Sequence, residues 1–218
     1  MKILFQGDSI TDADRERDND MNVGVGYPLL VKASLGFENP GKHEFINRGI
    51  SGNRIVDVYA RIKNDIINIK PDLMSILIGV NDVWHEFGDN PNGVHENKFY
   101  KIYTMLIEEI MQELPNINIM IMEPFVLKAC ATEENWEVFK EEVEKRAKVA
   151  KRIAEEHNLI YIPLQNGFNK LLEIASENYW LRDGVHPTAM GNEYIKNEWL
   201  KAFYNLKLWL MIQLQNIN

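Results

Sequence analysis

Lys2-Ile3-Leu4-Phe5-Gln6-Gly7-Asp8-Ser9-Ile10-Thr11 decides the reading of this chain. An apolar run of strand length stops at a glycine and hands over to small polar residues. Similar runs recur at Glu44–Asn47, Asp72–Ile78 and Ile117–Met122, with a weaker one at Leu159–Ile162. Continuous apolar runs of this length read as parallel strands covered on both faces. Segments with helical spacing separate them: Tyr27–Leu35, Ile55–Ile69, Phe99–Leu114, Trp136–His157 and a last one from Gly191 onward. In 99–114, Ile102, Leu106 and Ile110 form one stripe, with Tyr103, Ile107 and Met111 beside it. In 136–157, Val138, Val143, Ala147, Ala150 and Ala154 are expected to face inward. Strands alternating with helices imply a three-layer α/β/α sandwich around a mainly parallel sheet of about five strands.

Composition narrows the possibilities. The 218 residues carry 45% apolar side chains and a net charge of −8. One domain covering 1–218 is expected, because no Pro/Gly-rich linker, repeat or low-complexity tract divides the chain. The acidic balance argues against nucleic acid, whose phosphates call for clustered Lys and Arg. A single cysteine, Cys130, permits no intrachain disulfide, and it reads as an unreactive, at least half-buried thiol. Met1-Lys2 leads directly into the first strand with no signal-peptide pattern, and no apolar stretch approaches the about 20 residues of a membrane span. The expected address is the cytoplasm. Residues 206–218 form a hydrophobic C-terminal extension. Leu206, Leu208, Trp209, Leu210, Met211, Ile212 and Leu214 leave only Lys207 and Gln213 to face water within 206–214. A helix apolar on nearly every side needs a second cover, so a homo-oligomer using this segment is expected.

Chemistry concentrates at the ends of the strands. Ser9 follows the first, Gly52 in Gly49-Ile50-Ser51-Gly52-Asn53 the second, and Asn81 in Gly79-Val80-Asn81-Asp82 the third. Asp183-Gly184-Val185-His186 lies near the other end of the chain. Ligands bind outside the carboxyl ends of strands in open α/β sheets, so the first three blocks converge on one edge. A serine after a strand is by itself more often a helix cap or turn residue. Its hydroxyl becomes a nucleophile only beside a base that a third group orients. His186 and Asp183 can fill those two roles. Taken alone they also read as a surface histidine and a capping Asp ahead of a helix, or as two metal ligands lacking the further ligands a zinc site requires.

With these blocks in this order, the sequence resembles the SGNH/GDSL hydrolases, whose four blocks contribute Ser, Gly, Asn and His. It is similar in particular to small carbohydrate acetylesterases of acetylxylan-esterase type, through Ile50-Ser51-Gly52-Asn53, Ile78-Gly79-Val80-Asn81-Asp82-Val83-Trp84 and Val185-His186-Pro187. The resemblance spans residues 2–200. It implies the flavodoxin-like form of the three-layer sandwich and a serine esterase needing no metal or organic cofactor. In that reading Ser9, Asp183 and His186 are catalytic, and the oxyanion is held by the backbone of Ser9 and Gly52 and the amide of Asn81. A carboxylate at position 81 would repel the oxyanion. Gly52 as a tight turn and Asn81-Asp82 as a helix cap are the structural alternatives.

The implied substrate is a small-molecule or oligosaccharide ester. Asp8, Trp84, His85 and Trp180 are the expected contacts to it, Trp84 first because an indole face can stack on a sugar ring. The polar stretch Thr11–Asn22 reads as a solvated loop after Ser9, with a rim for a hydroxylated substrate as the secondary alternative. Other motifs fit poorly. Gly24-Val25-Gly26 lacks the third glycine and the preceding strand of a dinucleotide site. No Gly-x-Ser-x-Gly elbow exists. A lysophospholipase or thioesterase of the same superfamily is the rival activity, and a catalytically silent carbohydrate-binding protein the rival of another kind.

Overall fold

The computed structural model describes the backbone of residues 1–215 and the side chains of residues 1–208. Strands β1 (Lys2–Gly7), β2 (Glu44–Asn47), β3 (Leu73–Leu77), β4 (Asn118–Met122) and β5 (Ile160–Ile162) form one sheet in the order β2-β1-β3-β4-β5, every pair parallel. The five expected runs are these strands, shifted by a residue or two at their ends. Order 2-1-3-4-5 is the flavodoxin-like doubly wound arrangement, whose topological switch point lies between β1 and β3.

Alternation along the strands divides the core between the two faces. Ile3, Phe5, Met120 and Met122 pack into one buried cluster, while Leu4, Met74, Ile119 and Ile121 pack into the other. The first cluster takes α2 (Tyr27–Glu38) and α9 (Ala189–Gln215) through Tyr27, Val31, Leu35, Ile195, Trp199 and Phe203. The second takes α3 (Ile55–Ala60) and α5 (Glu96–Glu113) through Ile55, Val58, Tyr103, Leu106 and Ile110. Each such fully buried side chain contributes roughly 1.5–3 kcal/mol.

Three helical expectations are corrected. The segment from Ile55 is not one helix: α3 stops at Ala60 and a π-helical turn occupies Lys63–Ile67. At the break Arg61 fans out to Gln6 Oε1, Asn53 Oδ1, the Arg48 carbonyl and Asp65. In α6 (Trp136–Glu156) the inward stripe is Phe139, Val143, Ala147 and Ala150, while Val138 is 56% exposed. Helical geometry explains this, since Phe139 lies four residues before Val143 and Val138 five. In α5, Tyr103, Leu106, Ile107 and Ile110 are buried, whereas Met111 faces outward. Short helices also go beyond the sequence pattern: α1 (Ser9–Asp12), α4 (Val80–Trp84), α7 (Gln165–Leu171) and α8 (Glu177–Trp180). Cys130 is exposed, contrary to the expected burial.

No helix among the described residues is long and apolar enough to cross a membrane. The extension begins inside α9. Leu206 is buried against the core, Lys207 sets its ammonium 4.8 Å from the Phe203 ring centroid, and Leu208 is exposed. The side chains on which the oligomer expectation mainly rests, from Trp209 on, lie outside the described residues. Self-association is tested by sedimentation of the full chain beside one ending at Leu208, which keeps Phe203 and Leu206. A larger assembly for the full chain alone is expected; equal masses would refute this interface.

Candidate active site

The carboxyl ends of β1, β2 and β3 lie side by side, and each feeds one polar block. After β1, Asp8 closes the turn into α1 by accepting the Ile10 N–H at 3.0 Å on its side chain, which presents Ser9 at the start of the helix. Ser9 Oγ lies 2.9 Å from His186 Nε2, across 177 residues of chain. His186 Nδ1 lies 2.7 Å from Asp183 Oδ2, while Asp183 Oδ1 accepts the N–H groups of Val185 and His186 at 3.0 and 2.8 Å. Burial works to raise the Asp183 carboxyl, but the hydrogen bonds from the His186 ring and the two backbone donors outweigh it and hold it down at about 2. An ionised carboxylate can only accept, so His186 Nδ1 carries a proton. In the neutral ring Nε2 is then the acceptor for the Ser9 hydroxyl.

Beside this relay stand unused donors. Gly52 sits at φ +82, a left-handed conformation natural to glycine, with open space where a side chain would project. Among the described residues its N–H and that of Ser9 have no protein acceptor. Asn81, in α4, directs its Nδ2 to the Asn53 carbonyl at 3.2 Å. Cross-ties hold the blocks in register. Asp12 Oδ2 accepts Ser51 N–H at 2.9 Å and Ser51 Oγ–H at 3.2 Å. The Asp82 carboxyl accepts Ile55 N–H at 3.0 Å. Asn47 donates to the Thr11 and Val23 carbonyls and accepts from Gly49 N–H. A serine, an oriented imidazole and unengaged donors at one strand edge can perform acyl transfer.

Comparison with known proteins agrees with that chemistry. Residues 5–194 match the GDSL-like lipase/acylhydrolase family. The chain belongs to this family. An acetylxylan esterase of Geobacillus stearothermophilus is 31% identical over 207 residues, which cover 92% of each protein. Its crystal structure superposes with a TM-score of 0.81, covering 92% of this chain and 93% of that one. The solved structures of that esterase include two variants called catalytic, one at a serine and one at an aspartate. A protein of Parabacteroides merdae designated a GDSL-like lipase is 35% identical, with a TM-score of 0.85 and coverage of 92% and 94%. This GDSL-family member is thus a carboxylic ester hydrolase.

In the hydrolase the relay opens into a cleft of about 400 Å³ that brings together Ser9, Gly52, Asn81, Trp84, His85 and His186. Trp84 packs its ring 5.9 Å from that of His186 and 5.8 Å from Phe139 on α6. Two residues expected as substrate contacts lie off the cleft lining. Trp180 does not line the cleft, because its indole N–H is engaged by the Leu171 and Ala175 carbonyls at 3.0 and 3.3 Å, bracing α8. Asp8 is buried beneath Ser9 as a cap, outside the lining. Ala13, Asp14, Ser51 and Arg182 do line it, although none was singled out from the sequence. Ser51 sits inside the Gly49–Asn53 block, Arg182 directly before Asp183, and Ala13 and Asp14 in the polar stretch Thr11–Asn22, which is the sequence signal for each. The stretch from Thr11 is also less solvated than expected, since Thr11, Asp12 and Arg15 are buried by their ties to neighbouring loops. Among the described residues no three His, Cys, Asp or Glu side chains are grouped to hold a metal.

Two carboxyls beneath the cleft have a consequence for stability. Burial pushes Asp82 up to about 8 against its bond from Ile55 and the Arg146 charge, and burial pushes Asp8 up to about 7 against its bond from Ile10. Each holds a proton in the folded state at pH values where the unfolded chain, with a carboxyl near 4, has released it. Fewer protons bound on unfolding means that stability falls as pH rises from about 4 toward about 8, then levels. Asp82→Asn keeps the acceptor for Ile55 and removes the ionisation, so it should flatten this fall. Urea melts of parent and variant at about pH 5 and about pH 8.5 should show the variant gaining on the parent at the higher pH. Equal pH dependence would mean that Asp82 is ionised in the folded protein.

Proposed function

We propose that this esterase removes acetyl groups from O-acetylated carbohydrates, with Ser9 as nucleophile and an acetyl-enzyme as intermediate. The observation that carries the reading is the Ser9–His186–Asp183 relay beside the unused N–H groups of Ser9 and Gly52. In the first half-reaction Ser9 Oγ bonds to the acetyl carbon while its proton passes to His186 Nε2. Asp183 steadies the imidazolium. The carbonyl oxygen, now negative, takes hydrogen bonds from the Ser9 and Gly52 N–H groups and from Asn81 Nδ2, each such donor being worth about 3–4 kcal/mol in the transition state. Collapse breaks the bond to the sugar oxygen, which leaves with the proton from His186. Water then gives its proton to His186 and adds to the acetyl carbon, and acetate leaves as the proton returns to Ser9.

Acetyl as the acyl group is supported by the acetylxylan esterase relative, whose structures are also described as those of an acetyl-xylooligosaccharide esterase. The cleft supports it too. Among its lining residues only Ala13 and Trp84 are apolar, whereas a lysophospholipase or thioesterase wants a long apolar groove for its acyl chain. Trp84 and His85 would meet the sugar, Trp84 with the part of its ring not packed on Phe139.

Ser9→Ala should lower kcat by at least about a thousandfold with the thermal midpoint retained, and His186→Ala should be nearly as severe without adding to it. Turnover by folded Ser9→Ala enzyme at the parental rate would end the mechanism. On esters of increasing chain length, kcat/KM should be highest for acetyl, and acetate should appear from acetylated xylo-oligosaccharides. A preference for octanoyl would instead favour the lipase-type rival, and no turnover of any ester the silent binder. Prolonged chelation should leave the rate as it was; a loss restored by zinc would recast Asp183 and His186 as metal ligands.

A further inference from the structure

Ala13 and Asp14 are consecutive non-glycine residues with positive φ, at 41° and 59°, directly after α1 and on the lining of the Ser9 cleft. Left-handed backbone costs roughly 1–2 kcal/mol at each such residue, so the surroundings must hold it. The Gly24-Val25-Gly26 segment does so. Val25 N–H donates to the Ala13 carbonyl at 2.7 Å. A Cβ on Gly24 would lie 2.5 Å from the carbonyl oxygens of Asp12 and Ala13, and one on Gly26 would lie 2.7 Å from Ala13 Cβ. Both glycines are therefore moulded to this turn, and Asn192 Oδ1 fixes the segment's far end through Tyr27 N–H at 2.8 Å. The turn sets an exposed carboxylate beside the nucleophile.

Asp14 has no hydrogen-bond or ion-pair partner among the described residues. Across the chain, Arg182 lies next to Asp183 with its backbone N–H on the His186 carbonyl at 3.0 Å and its guanidinium likewise unpaired. The two side chains line the same cleft but form no ion pair with each other. An acceptor and a donor of opposite charge on backbone held in place, both unsatisfied beside Ser9, suit a neutral ligand that offers donors and acceptors together.

We propose that Asp14 and Arg182 form the subsite for the alcohol half of the ester and recognise a neutral, hydroxyl-rich ring. Asp14 accepts from two neighbouring hydroxyls, and Arg182 donates to a hydroxyl or ring oxygen. This rests on the carbohydrate reading above and adds the residues that select the leaving group.

The test compares kcat/KM on methyl 2-O-acetyl-β-xylopyranoside, on the same ester with its free hydroxyls methylated, and on 4-nitrophenyl acetate. Asp14→Gly deletes the carboxylate and relieves the left-handed backbone, so it threatens folding less than alanine would. The variant should lose about ten- to a hundredfold more on the hydroxyl-bearing sugar ester than on the aryl acetate, the scale of one or two charge-assisted hydrogen bonds. Methylated substrate should show no such excess. Asp14→Asn, which keeps the shape and an acceptor, should recover part of the loss, and Arg182→Gln should show its own excess on the sugar. Equal losses on sugar and aryl esters would overturn the subsite while leaving the esterase reading in place. A parent enzyme that ignores every sugar acetate yet cleaves the aryl ester would overturn the carbohydrate reading and the subsite with it.

Discussion

Parallel pairing of β1 with β2 on one side and β3 on the other governs the position of everything at the site. Phe5 is level with Asn47, and Gly7 is level with Leu77. With β1 and β3 ending level and β2 two residues short of them, Ser9, Gly52 and Asn81 need only a few residues of loop each to meet. A parallel sheet sends every strand the same way, so chemistry placed after any strand gathers on one edge. The switch point between β1 and β3 opens a crevice there, since the chain leaves β1 toward one side and β3 toward the other. The proposed oxyanion hole, with donors from three strand ends, relies on this pairing more than on the sequence of any one loop.

Precision beyond the ladder comes from polar side chains that couple neighbouring loops. Asp12 secures the Ser51 N–H, Asn47 joins the Thr11, Val23 and Gly49 backbone, and the Asp82 carboxyl reaches Ile55. Each satisfies a backbone group that would otherwise be left unpaired near the core, where an orphaned donor or acceptor costs about 1–3 kcal/mol. Such bonds have direction, whereas apolar packing does not. Asp12 and Asp82, which touch no substrate in the proposed scheme, thereby tie the loops on either side of Gly52 to the blocks that carry Ser9 and Asn81.

Residues whose role follows from local pattern were readable in the sequence. The strands showed as apolar runs because both faces of a parallel sheet are covered. The Ser9, Gly52, Asn81 and Asp183/His186 blocks stood out because polar residues after such runs are conspicuous. Features decided by distant neighbours were not readable. Sheet order depends on which strands pair, and the runs alone do not encode it. Trp180 lies near Asp183 in sequence, yet its indole N–H finds carbonyls at Leu171 and Ala175. Asp14 looks like one more charge in a polar stretch until Gly24 and Gly26, ten and twelve residues on, are seen pressed against its turn. Val138 and Phe139 are adjacent apolar residues, and only the stripe continuing through Val143 tells which one faces the core.

The separation of the relay along the chain also bears on synthesis. Ser9 is made 177 residues before His186, and the helix that follows His186, α9, packs on the same layer as α2 through Trp199 and Phe203. Strands β1, β2 and β3 can pair while the segment after them is still being made, but the Ser9 hydroxyl has no imidazole beside it until His186 has emerged and docked. The Ser9–His186 contact is therefore completed only once residues 183–186 and α9 have been made and have docked against the sheet, so in the proposed scheme activity waits on this late segment.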